Sequence, residues 1–181
     1  MGSVFLDGRL IVKTGDITAE RVDVVVNAAN SGLMGGGGVD GAIHAVGGPA
    51  ILEECRQVRR TQYPDGLPAG TAVATAAGDL PARWVIHTVG PVWHGGGRNE
   101  PALLAACYRN SLNLAVELGA RTATFPAIST GVYGYPREAA AVVALESLRG
   151  ALADHAGIMV TLVFFSAEAE QAFLKATAVL R

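Results

Sequence analysis

The chain is poor in the residues that usually announce a partner. Aromatic residues make up 6% of its 181 positions, and lysine occurs only at Lys13 and Lys175. Fourteen basic against 16 acidic side chains leave a formal net charge of −2, so no basic footprint for duplex nucleic acid or an anionic membrane surface is expected. No apolar run reaches the ~18–20 residues needed to span a bilayer. The first ten residues lack a basic region followed by a long apolar stretch, so no secretion signal is expected. The two cysteines, Cys55 and Cys107, form no CxxC pair. They read as reduced, partly buried thiols of a cytoplasmic protein rather than as a disulfide framework. There is no GxSxG and no HExxH, and no ligand cluster surrounds His87 or His94 in the sequence. His87 reads as a core or hydrogen-bonded residue of a strand.

Glycine, by contrast, is in excess: 23 of 181 residues, where average usage is roughly 7%. With 50% hydrophobic residues the chain can fill a core, which excludes disorder, and no glycine period of three points to collagen. The glycines cluster instead. Eight lie between Gly32 and Gly48 and four between Gly90 and Gly97.

The element pattern predicts one α/β domain over residues 1–181. Val4–Leu6 and Arg9–Lys13 flank Asp7-Gly8, a strong hairpin signal. Val24-Val25-Val26 sits in a continuous apolar stretch, the pattern of a strand covered on both faces. A helix from about Asp40 restarts after Gly47-Gly48-Pro49 and runs to Arg60. Strands are predicted over Thr71–Ala77, Trp84–Val89, Thr122–Phe125 and Ile158–Phe165. Helices are expected from a cap at Asn99 to Leu118, from Pro136 to about Ala153, and from Ser166 to about Leu180. Alternating strands and helices imply a three-layer α/β/α architecture with a largely parallel sheet, made mixed by the hairpin.

Two glycine loops follow candidate central strands and precede helices, the place where such sheets bind ligands. The first runs from Asn30 to Val39 and contains Gly35, Gly36, Gly37 and Gly38; the second runs from Ile128 to Gly134. Successive N–H groups in such loops converge on an anion, and a helix N-terminus adds its dipole. Neither loop carries Lys or Arg. Taken together they point to a diphosphate-containing nucleotide, although each is also compatible with a plain tight connection.

Read in order, the strings Gly15-Asp16-Ile17, Val26-Asn27-Ala28-Ala29-Asn30-Ser31 and Gly35–Gly38-Val39-Asp40-Gly41-Ala42-Ile43-His44 resemble a macrodomain of the MacroD type. The resemblance continues through Val85–Trp93 and Cys107–Leu112 and ends with Phe125–Pro136. It implies binding of ADP-ribose and ADP-ribosylated proteins, removal of ADP-ribose from acidic side chains, and deacetylation of O-acetyl-ADP-ribose, with no metal and no cofactor. Asp16, beside Ile17, would accept a hydrogen bond from the adenine amino group, and Phe165 would lie against the adenine. Gly35 to Val39, and Ser129, Thr130, Gly131, Val132 and Tyr133, would form the two phosphate loops. Tyr133 would also hold the distal ribose in place for attack.

Chemistry is assigned by the resemblance to Asn30, Asp40 and His44. The spacing of four puts Asp40 and His44 on one helix face beside the glycine loop. Asn30 would contact the distal ribose. Asp40 would position or activate water, alone or with help from a substrate phosphate, and His44 would orient Asp40 or tune its charge. Each has a plainer reading. Asp16 could form a turn, Phe165 could be core, Asn30 could hold a turn, Asp40 could cap its helix, and His44 could simply pack inward. A non-catalytic ADP-ribose reader is therefore the alternative. A nicotinamide dehydrogenase fits poorly, because the loop is not the dinucleotide-binding turn. Two positions depart from the family pattern: Asp79, where an aromatic is common, and Ser166, where an acidic or amide residue is common.

Overall fold

The computed structural model describes residues 2–180. A hairpin opens the chain: β1 (Ser3–Phe5) pairs antiparallel with β2 (Leu10–Thr14) across a short 3-10 turn at Leu6–Gly8. Then come β3 (Val24–Ala29), α1 (Gly38–Gly47), α2 (Pro49–Thr61), β4 (Ala72–Ala76) and β5 (Trp84–Val89). The second half adds α3 (Glu100–Glu117), β6 (Thr122–Phe125), α4 (Arg137–Asp154), β7 (Met159–Phe164) and α5 (Ala167–Ala176).

The seven strands form one sheet in the order β1-β2-β7-β6-β3-β5-β4. The five inner strands are parallel, whereas β4 pairs antiparallel with β5. The sheet is thus mixed at both edges, not only at the hairpin. The short connection from β4 to β5, residues 77–83, holds no crossover helix, so the chain can only return antiparallel.

Two hydrophobic layers cover the sheet. Val24 and Val26 face the layer under α3, α4 and α5, while Val25 faces the layer under α1 and α2. This explains why the apolar run in β3 is continuous: neither face of the central strand meets water. All three valines are fully buried, each contributing roughly 1.5–3 kcal/mol.

Helix boundaries follow local chemistry with two corrections. Asn99 stands before α3 in the left-handed region and its side chain makes no cap. The neighbouring Glu100 does the tying instead, accepting from the backbone N–H groups of His94 (2.8 Å), Gly96 (3.2 Å) and Arg98 (2.6 Å). The Gly95–Gly97 turn is therefore anchored from beneath. Pro136 is the residue before α4 rather than its first residue. Ser166 does cap α5, its Oγ accepting from the Ala169 N–H, so the departure at this position has a local structural use. Among the described residues no helix is long and apolar enough to cross a membrane.

Candidate active site

Four parallel strands empty into one cleft. β2 leads into Gly15-Asp16, β3 into Asn30, β6 into Pro126 and β7 into Phe165. The chain runs outward from β3 to β5, then returns through α3 to β6 on the other side. The cleft opens at this reversal, where open α/β sheets bind ligands. Its volume is about 860 Å³, ample for a nucleotide-sized molecule.

The first glycine loop forms one wall. Only Gly35 and Gly38 of its four successive glycines take positive φ. Gly36 leaves room of a different kind: a Cβ there would stand 3.2 Å from Asp40 Oδ2 and 3.3 Å from Asn30 Nδ2, tight against both side chains. Gly37 borders open space, so its backbone faces whatever enters the cleft. Asn30 ties the loop into this shape, donating to the Gly35 carbonyl (3.0 Å) and accepting from the Leu33 N–H (3.2 Å). Both ends of its amide are used, so Asn30 holds a turn while also lining the cleft.

The second loop closes the opposite wall with Ser129, Thr130, Gly131, Val132 and Tyr133. Ser129 is a non-glycine residue at φ 65°, a conformation that L-residues rarely adopt. Its buried Oγ has no partner among the described residues. A Cβ on Gly90, at the exit of β5, would lie 2.1 Å from that Oγ, so this loop sits directly on bare backbone. Val132 is fully exposed. The Tyr133 carbonyl accepts from the Trp93 N–H at 2.8 Å, and the Trp93 ring stands 4.5 Å from that of Tyr135. The turn anchored by Glu100 thus braces the second loop.

At the far end, Asp16 Oδ1 accepts from the Thr18 hydroxyl (2.6 Å) and the Thr18 N–H (2.9 Å). These two bonds hold its carboxyl below the usual carboxylate range. Asp16 is therefore a turn former; it also lines the cleft, and its Oδ2 takes no hydrogen bond among the described residues. Ile17 is buried behind it. Phe165 is 95% exposed and lines the cleft, so its reading as core is excluded. Arg137, which neither loop motif drew attention to, also lines the cleft and pairs with Glu168 at 3.3 Å. Because it lies just past the loop, at the first turn of α4, motif spacing alone did not mark it.

At one end of the cleft stands Asp40, which is 5% exposed. It stands in the first turn of α1 but does not cap it. Its Oδ1 turns inward and accepts from Asn27 Nδ2 at 2.7 Å. His44, one turn on, brings Nε2 to 3.4 Å from the same oxygen. This is proximity without hydrogen-bond geometry, since His44 Nε2 is buried without a hydrogen-bond partner. Asp40 Oδ2 takes no hydrogen bond from the described residues. Sequence spacing anticipated Asp40 and His44; Asn27, on the strand beneath, was read only as part of a motif.

Behind Asp40 lies a further buried group. Asn27 Nδ2 is also 3.1 Å from His87 Nδ1, and His87 Nε2 lies 2.9 Å from Thr75 Oγ1 and 3.7 Å from Cys55 Sγ. Burial, with the nearby His44 adding to it, pushes His87 down to about 3, so its ring is neutral. Burial, with the charges of Asp40 and Glu54, pushes the Cys55 thiol up to about 12. His44, Cys55 and His87 bring ligand atoms within 4.8 Å of one another, a spacing that could invite a soft cation. The contacts argue otherwise: Asn27 Nδ2 at Nδ1 and Thr75 Oγ1 at Nε2 already engage both ring nitrogens of His87.

The comparisons with known proteins agree with this geometry. A macro domain family model matches residues 26–144. A macro domain-containing protein of Streptomyces nogalater is 64% identical over 135 residues, covering 75% of this chain and 74% of its own. An O-acetyl-ADP-ribose deacetylase of Cronobacter sakazakii is 58% identical over 150 residues, covering 83% of this chain and 82% of its own. Among solved structures, a variant of the Oceanobacillus iheyensis macrodomain with ADPR superposes with a TM-score of 0.92 at 40% identity, covering 99% of this chain and 97% of that one. The chain, with its three-layer fold and its cleft between two glycine loops, belongs to the macrodomain family.

Proposed function

We propose that the protein is a hydrolase that deacetylates O-acetyl-ADP-ribose and removes mono-ADP-ribose from acidic side chains of modified proteins. The observation that carries the reading is a buried carboxylate at the cleft wall. Asp40 is oriented by Asn27 through one oxygen and offers the other, beside Gly36 and Asn30, to a water molecule. Relatives named O-acetyl-ADP-ribose deacetylase at 57–60% identity support the same chemistry.

In this reading the diphosphate lies between the two loops, held by backbone N–H groups, and Asp16 and Phe165 receive the adenine. The distal ribose rests against Tyr133 and Asn30, which places its ester near Asp40 Oδ2. Water is held by Asp40, together with a substrate phosphate, and attacks the ester. An ester at or near an anomeric carbon is already reactive, so orientation supplies much of the acceleration. His44, 3.4 Å from the Asp40 carboxylate, helps to orient it. No metal is required in this scheme, and turnover is expected to be unchanged by a chelator.

The alternative is a reader that binds ADP-ribose without cleaving it. A reader has no use for a carboxylate held against desolvation in its wall. The deciding experiment incubates the protein with O-acetyl-ADP-ribose and with an acceptor carrying ester-linked mono-ADP-ribose, and follows acetate and ADP-ribose release. Release from both supports the hydrolase. Binding of free ADP-ribose without release at any protein concentration would establish the reader.

A further inference from the structure

On the face of the sheet under α1 and α2, a line of polar side chains runs across three adjacent strands. Val25, Val73, Val85 and Val89 belong to its hydrophobic layer. Thr75 on β4, His87 on β5 and Asn27 on β3 interrupt it, and all three are buried. Asn27 and His87 are direct register partners. Burying three polar side chains disfavours folding unless each is hydrogen-bonded, so the line calls for an explanation beyond packing. It leads to Asp40.

With the Asn27 amide donating to Asp40, the neighbouring hydrogen bonds fit a consistent assignment of protons. Thr75 Oγ1 donates to the Ala76 carbonyl (3.0 Å) and therefore accepts from His87 Nε2–H. That leaves His87 Nδ1 as a lone pair, which accepts one Nδ2 proton of Asn27. The other Nδ2 proton goes to Asp40 Oδ1. Asn27 Oδ1 is buried without a partner, the expected penalty of an amide held in one orientation. Turning the amide over would set its oxygen against both the Asp40 carboxylate and the His87 lone pair. Because the His87 ring stays neutral, this polarity does not reverse across the working pH range.

We propose that His87 is a positioning residue of the hydrolytic site, acting through Asn27: its Nδ1 lone pair fixes the amide so that a donor always faces Asp40. The proposal rests on the hydrolase reading only for its effect on turnover; the His87 tautomer and the orientation of Asn27 can be measured without it. The titratable groups facing Asp40 are His44 on its own helix, Cys55 from α2 and His87 from β5.

The test compares wild type with His87→Leu, which removes the acceptor, and His87→Asn, whose Oδ1 can replace Nδ1. Three measurements are made: imidazole ¹⁵N shifts, the ¹H and ¹⁵N shifts of the Asn27 side-chain amide, and kcat and KM for O-acetyl-ADP-ribose. Wild-type His87 is expected to carry its proton on Nε2; a proton on Nδ1 overturns the proposal. In His87→Leu the Asn27 Nδ2 proton resonances are expected to move upfield, because one of them has lost its acceptor. Its kcat is expected to fall about tenfold, the scale of a weakened hydrogen bond from Asn27 to the Asp40 carboxylate, with KM and ADP-ribose affinity unchanged. His87→Asn is expected to move both values back toward wild type. Unmoved amide shifts and kcat in a folded His87→Leu protein overturn the proposal, as does an equal loss of kcat and ADP-ribose binding. If His87→Leu does not fold, Thr75→Val, which frees the Nε2 proton, takes its place and is expected to shift the Asn27 amide in the same direction. Wild type without turnover but with the amide shift in His87→Leu would refute the hydrolase reading and leave the positioning role standing.

Discussion

Asp40 and Asn27 are held together at 2.7 Å, one from the first turn of a helix and the other from the strand beneath it. Asp40 is 13 residues further along the chain, and the intervening stretch is the end of β3 and the glycine loop. The loop therefore starts and ends on a single buried hydrogen bond. Whatever binds against Gly35–Gly38 binds to a backbone whose two ends are fixed to each other.

Replacing Asp40 separates binding from chemistry. Asp40→Ala is expected to reduce release of acetate or ADP-ribose by about 100-fold or more while still binding free ADP-ribose. Isothermal titration with ADP-ribose alongside the release assay tests this. Equal turnover in the variant would remove Asp40 from the mechanism.

Asp16 divides its two oxygens between the fold and the ligand. Asp16→Asn is expected to weaken ADP-ribose about tenfold, through loss of one charge-assisted hydrogen bond. Affinity for ribose 5-diphosphate, which has no adenine, is expected to stay the same. A matched loss for both ligands would mean that Asp16 only shapes its turn.

Glu100 should lend the 94–98 turn a pH dependence. Burial works against its charge, and the backbone N–H donors outweigh burial, holding the carboxyl below the usual carboxylate range. A group whose folded pKa is depressed contributes fully above its unfolded value and loses that contribution as pH falls through the folded one. The amide resonances of His94, Gly96 and Arg98 are thus expected to be constant above pH 4.5 and to shift below it. Shifts confined to neutral pH would contradict the clamp.

Both thiols should be inert in the native protein. Cys55 and Cys107 are fully buried, and burial, above all, raises both. Since the thiolate is the nucleophile, iodoacetamide at pH 8 is expected to modify neither until denaturant is added. Mass spectrometry of the intact chain reads this directly, and labelling of Cys55 without denaturant would show that α2 opens.

Gly90 is a test of the second loop. Gly90→Ala places a methyl 2.1 Å from Ser129 Oγ and is expected to cost about 1–3 kcal/mol of stability, with weaker ADP-ribose binding. A variant with unchanged melting temperature and affinity would show that the loop can move aside freely.

Much of this protein follows from local chemistry. The continuous valines of β3 report burial on both faces because every one of them lacks a solvent side. The i, i+4 spacing of Asp40 and His44 sets them on one helix face because the turn is 3.6 residues. Glycine clusters after two strands mark close backbone approach, and the order of the motifs is enough for the family. Other features depend on partners far away along the chain. The antiparallel return of β4, the cap lost at Asn99 and replaced by the reach of Glu100, and the open rather than buried place of Phe165 are all settled by what packs nearby. Above all, Asn27, His87 and Thr75 look like ordinary strand residues until the sheet sets them in one line. Hydrogen-bond direction depends on which acceptor stands opposite each donor, and only the tertiary structure brings His87 and Asp40 to the two protons of one buried amide.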